Sequence, residues 1–191
     1  MAYDLKNVFY LGTSATVSKT TAGTGTAQLD LSAYIDPIAR GRQKGIGLAI
    51  YKVHYSLINS DDSNVATPDP SESGAITMSM VAGAGLGDNA TGALAFGAGD
   101  TAYDASNQLV VSAANYYGPA IPSSSTPMPE EYIMPSKDVP YVIVRDNVCL
   151  IYTVDAAATM ADDYRLAVRL ECAQVSLDQA TLNQLLRTQT V

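Results

Sequence analysis

Leu48-Ala49-Ile50-Tyr51-Lys52-Val53-His54-Tyr55-Ser56-Leu57 decides the fold class. Tyr51, Val53, Tyr55 and Leu57 alternate with Lys52, His54 and Ser56, the two-residue period of a strand with one buried face. Tyr164 to Cys172 repeats the pattern, with Tyr164, Leu166, Val168, Leu170 and Cys172 inward and Arg165, Arg169 and Glu171 outward. Asn147 to Val154 is almost continuously apolar, as expected of a strand covered on both faces. Tyr141 to Val144 precedes it, and Arg145-Asp146-Asn147 supplies turn residues between them, so the two read as a hairpin. Weaker strand patterns lie at Val8–Leu11, Ala27–Leu31, Ile76–Val81 and Gln108–Ser112. About eight strands with a β-branched and aromatic bias predict an all-β sandwich. Ser176 and Gln179 match a capping box ahead of Leu177, Leu182, Leu185 and Leu186, which predicts one short C-terminal helix that must dock on the sheets. Ala82 to Gly99 and Gly118 to Pro129 read as loops.

The 191 residues suit one domain spanning 1–191. Hydrophobic residues make up 47% and charged residues only 16%, which excludes intrinsic disorder and leaves few charges to keep a lone subunit soluble. The net charge of -8 has the wrong sign for a generic phosphate-backbone binder. Charge is unevenly spread. Residues 58–138 carry ten acids and one base, an acidic Gly/Pro/Ser-rich excursion, whereas residues 1–57 carry six bases and three acids. No window approaches the ~18 apolar residues of a membrane span. Met1–Asn7 contains Asp4 and no apolar core, so it does not read as a secretory signal.

Little in the chain points to catalysis. His54 is the sole imidazole, and its same-face neighbours Lys52 and Ser56 include no carboxylate to orient it; no G-x-S-x-G sequence exists. It reads as a structural or solvent-facing side chain, and the expectation is no enzyme and no catalytic residue. Gly83-Ala84-Gly85-Leu86-Gly87-Asp88 lacks the Gly-Lys-Ser/Thr of a phosphate loop. Asp61-Asp62, with Asp69 and Glu72, offers oxygen ligands of the kind Ca2+ takes, but the spacing fits no EF-hand and a solvated acidic loop is the simpler reading. No cofactor is expected. Cys149 and Cys172 sit in apolar stretches and read as buried free thiols; a disulfide stays open on spacing alone. Asp162-Asp163 reads as a turn, and Asn89-Ala90-Thr91 as an acceptor sequence with no secretory route. Arg40, Arg42 and Lys44 form the one basic cluster. As candidate assembly contacts they would meet Asp61 and Asp62 on a neighbouring copy; a solvated turn and a polyanion contact are the other readings.

The run Ala27-Gln28-Leu29-Asp30-Leu31-Ser32-Ala33-Tyr34-Ile35, continuing through Lys44 to Leu57, resembles the opening of single jelly-roll viral coat proteins. Val148–Val154 and Tyr164–Cys172 would be the closing strands and the acidic middle the variable surface loops. The resemblance implies a capsid subunit of the virion, assembled in the host cytoplasm into a large symmetric homo-oligomer with other virion proteins as further partners. Those coats often carry an Arg-rich N-terminal arm that this chain lacks, which leaves three readings: another virion protein neutralises the genome, the particle encloses a membrane, or the particle lies outside the genome shell. Twelve Tyr against two Phe independently suit extensive half-polar interfaces. The rival expectation is a β-sandwich binding module, adhesin- or fibre-like, recognising glycans or a receptor through loop tyrosines Tyr103, Tyr116 and Tyr117. The absence of Trp counts against it.

Overall fold

A computed structural model describes residues 8–19, 23–36, 44–60, 74–82, 105–106, 108–118, 128–154 and 162–189. Among them run β1 (Phe9–Val17), β2 (Gly23–Asp30), β3 (Lys44–Asn59), β4 (Gly74–Ala82), β5 (Val110–Gly118), β6 (Met128–Ile133), β7 (Tyr141–Ile143), β8 (Asn147–Val154), β9 (Tyr164–Asp178) and α1 (Gln179–Thr188). They form two antiparallel sheets, ordered β1-β9-β3-β7 and β2-β8-β4-β5-β6. First-with-last nesting relates the strands: β1 lies beside β9, β2 beside β8, β3 beside β7 and β4 beside β5. One long antiparallel hairpin rolled up gives this order, which is the jelly roll of two Greek keys, with β6 added at one border.

Alternation builds the core. Leu48, Ile50, Val53 and Leu57 of β3 and Tyr164, Leu166, Val168, Leu170 and Cys172 of β9 face Ile76, Met78, Met80, Val148, Leu150 and Val154 of the other sheet. Polar bonds also tie the sheets together. Tyr55 Oη lies 2.5 Å from Ser112 Oγ, and the Tyr116 hydroxyl donates to the Tyr55 carbonyl at 3.1 Å. The outer face of β8 is covered too: Cys149 and Ile151 join Val81, Leu109, Val110 and Ala113 in a second apolar cluster.

β9 changes which face it buries. From Tyr164 to Cys172 the even positions are buried between the sheets; from Ala173 to Leu177 the odd ones are buried under α1. Leu182 of α1 is fully buried there, worth about 1.5–3 kcal/mol. Close approach requires glycine beneath it. A Cβ on Gly45 would lie 2.7 Å from Leu182 Cδ2, and one on Gly47 would lie 2.9 Å from Leu177 Cδ1 and 3.1 Å from the Ile143 carbonyl. The helix ends at Gln189, whose amide edges β7: Nε2 donates to the Val142 carbonyl at 2.7 Å, and Oε1 accepts from the Val144 N–H at 3.1 Å. A side chain thus occupies part of the border where a further strand would pair.

Four expectations change. Tyr141–Val144 and Asn147–Val154 are not a hairpin: β7 pairs β3, β8 pairs β2 and β4, and Arg145-Asp146 carries the chain from one sheet to the other. The helix is capped by Asp178, not Ser176; Asp178 accepts from the Thr181 N–H at 2.8 Å, while Ser176 still lies in β9. The loop expected over Gly118 to Pro129 loses both ends, since Gly118 closes β5 and Met128-Pro129 opens β6. Proline is tolerated there because β6 borders its sheet and one backbone donor is dispensable. Finally, Tyr51 does not share a face with Val53 and Tyr55. The register of β3 against β9 slips between Ile50 and Lys52, a bulge that turns Tyr51 to the outer face beside Ala49, Ala173 and Val175. The expected loop Ala82–Gly99 lies, past Ala82, outside the described residues.

Candidate functional site: the outer face of the four-stranded sheet

The outer side chains of β1, β9 and β3 form one band. Tyr10 is 59% exposed, and the Arg169 guanidinium lies 5.1 Å from its ring centroid, a cation–π contact. Next along the band, His54 Nε2 donates to Glu171 Oε1 at 2.8 Å. The same-face neighbours of His54 on β3 include no carboxylate; the partner comes from β9. Glu171 reaches it diagonally, because Lys52 is opposite Glu171 and His54 opposite Arg169 in the β3–β9 register. The imidazole is held by a carboxylate and by no hydroxyl among the described residues, so the arrangement does not assemble a Ser-His-Asp constellation.

Beside this pair opens a groove of about 520 Å3. The bulge builds it, since it sets Tyr51 and Lys52 side by side opposite the single residue Glu171. Met134, Pro135, Ser136 and Lys137 wall one side and Val8 another. The 136–139 turn is fixed by two bonds: the Ser136 N–H donates to the Val139 carbonyl, and the Val139 N–H donates to Ser136 Oγ, both at 3.1 Å. Val8 is 48% exposed and Val139 75%. Tyr51 is 5% exposed, and its hydroxyl has no hydrogen-bond partner among the described residues.

Of the sequence-predicted assembly residues, only Lys44 is among the described residues. Arg40, Arg42, Asp61 and Asp62 lie outside the described residues, as do Asp69, Glu72, the glycine run 83–88, Asn89-Ala90-Thr91 and Tyr103. Lys44 is exposed at the start of β3, opposite Asp178. Among the described residues no three His, Cys, Asp or Glu side chains gather as a metal site. Of the loop tyrosines expected as a stacking platform, Tyr116 is corrected: it is half-buried in β5, packed on the core and bonded to Tyr55. The side chain of Tyr117 is outside the described residues.

Cys149 and Cys172 are free and buried. Burial pushes their thiols up to about 11 and about 12, so both stay protonated near neutrality and act as small apolar fillers. Asp162-Asp163, a bend just ahead of β9, acts as a clasp. Asp163 Oδ1 accepts from the Lys19 N–H at 2.9 Å, and Asp162 Oδ2 from Asn59 Nδ2 at 3.1 Å. No described helix is long and apolar enough to cross a membrane. No protein-family model, curated protein or solved structure matches the chain.

Proposed function

We propose that this chain is a self-assembling structural subunit, a virion coat protein that packs its jelly-roll sandwich into a closed symmetric shell. One observation carries the reading. β1 is a nine-residue strand at the border of the four-stranded sheet, and its sequence FYLGTSATV holds no charge and no proline. Monomeric proteins blunt such borders with lysine, proline or a cover, because an unpaired backbone row templates pairing with another chain. The opposite border, β7, has such a cover in Gln189; β1 has no strand partner beyond β9 among the described residues. The jelly roll hosts capsid and lectin domains alike, and fold alone selects neither. The low charge and the exposed Val8, Tyr10 and Val139 favour extensive subunit contacts over a small isolated module.

Arg40, Arg42 and Lys44 would then meet Asp61 and Asp62 of a neighbour at the rim of those contacts. Size-exclusion chromatography with light scattering tests the proposal. A species many times the 20.1 kDa of one chain supports it, and a discrete monomer at high concentration contradicts it.

A further inference from the structure

We propose that the groove beside the β3 bulge binds a small organic anion with an apolar body, such as an aryl or branched-alkyl carboxylate. Its volume, about 520 Å3, falls in the range of small-molecule pockets, typically about 300–1,000 Å3. Its lining combines an apolar surface, from Val8, Met134, Pro135 and the Tyr51 ring, with two ammonium groups, Lys52 and Lys137. Neither lysine has an ion pair among the described residues. Glu171 is the one acid in the lining, and His54 occupies its Oε1 at 2.8 Å, so the cations outnumber it.

The backbone makes the same point. A regular β3 would send Tyr51 into the sandwich with Val53 and leave no floor here; the bulge re-aims it. Bulges are over-represented where a side chain must be re-aimed at a site. The apolar body would lie on Tyr51, Met134 and Pro135, and the anionic head would sit between Lys52 and Lys137 at the mouth. Binding of this kind uses only groups within one chain.

Two dyes sharing an aromatic body test this on the full chain: anilinonaphthalene sulfonate, an anion, and phenylnaphthylamine, which lacks the sulfonate. The sulfonate dye should bind saturably at one site. Lys52→Gln combined with Lys137→Gln should weaken it about tenfold, the equivalent of about 1.4 kcal/mol, and leave the neutral dye within about twofold. Glu171→Gln should tighten the sulfonate dye, and Ser136→Trp, which fills the groove from an exposed position, should remove both dyes. Far-UV circular dichroism checks that each variant stays folded. Absence of binding overturns the proposal. So does a sulfonate-dye affinity indifferent to the lysine pair, or survival of both dyes in the folded Ser136→Trp variant.

Discussion

His54 Nε2 lies 2.8 Å from Glu171 Oε1, joining the centre of β3 to its neighbour β9 across 117 residues of sequence. Both side chains are 31% exposed, so water screens the pair and its worth falls in the ~0–1 kcal/mol range of surface pairs. His54→Gln should therefore shift urea-unfolding stability by less than about 1 kcal/mol and leave assembly intact. Loss of assembly in a folded His54→Gln subunit would give the imidazole a role beyond this contact.

Gln189 closes the β7 border with two hydrogen bonds, and its side chain is almost fully buried. Gln189→Leu leaves the Val144 N–H and the Val142 carbonyl unpaired. The expected loss is about 1–3 kcal/mol by chemical denaturation. Amide exchange at Val144 should accelerate; unchanged protection there would show that the bond to Gln189 is dispensable.

Opposite faces of the same sheet should respond differently. Leu166→Ala and Leu170→Ala, both fully buried between the sheets, should each cost about 2–5 kcal/mol, and exposed Arg165→Ala less than about 1 kcal/mol. Tyr51→Phe removes a buried hydroxyl without a partner and should be neutral or stabilising by up to about 1 kcal/mol. Strong destabilisation by Tyr51→Phe in thermal melts would reveal a partner for that hydroxyl.

Asp178 couples helix docking to pH. The Thr181 N–H bond favours the charged carboxylate and holds its pKa below the ordinary value. The unfolded chain therefore takes up the proton first. The stabilisation is present above the ordinary carboxylate pKa, near 4, and is lost as pH falls through the lower folded value. Amide protection over Leu182–Leu186 should hold from neutrality to about pH 4 and decline below it. Asp178→Asn keeps a capping oxygen without that titration and should flatten the decline; an unchanged acid profile in this variant would place the titrating group elsewhere.

The sandwich is legible because β3 and the first half of β9 alternate with a two-residue period and β8, covered on both faces, reads as a continuous apolar run. The second half of β9 was missed. Its apolar positions move from even to odd between Cys172 and Ala173, a phase change that marks a switch of covered face rather than a strand end. The Tyr51 bulge left no such trace, since Tyr51 continues the odd-numbered series of Val53 and Tyr55; only the pairing with β9 exposes it. β6 is hidden in the sequence by the proline of MPEEYI, which a strand tolerates at a border. Turn residues at Arg145-Asp146-Asn147 suggested a hairpin, yet the same residue types also serve a crossing between sheets. The Glu171 partner of His54 depends on the register of distant strands, which local pattern does not encode. The groove inherits both difficulties, because it needs the bulge and the register together.

Electron microscopy of the purified full chain tests self-assembly through the β1 border most directly. The unmodified protein should form closed particles of uniform size. Tyr10→Lys combined with Ser14→Lys, charges placed on two exposed positions of β1, should leave folded subunits that form none. A chain that stays a dispersed 20.1 kDa species under all assembly conditions, or a double-lysine variant that forms the same particles, would contradict it.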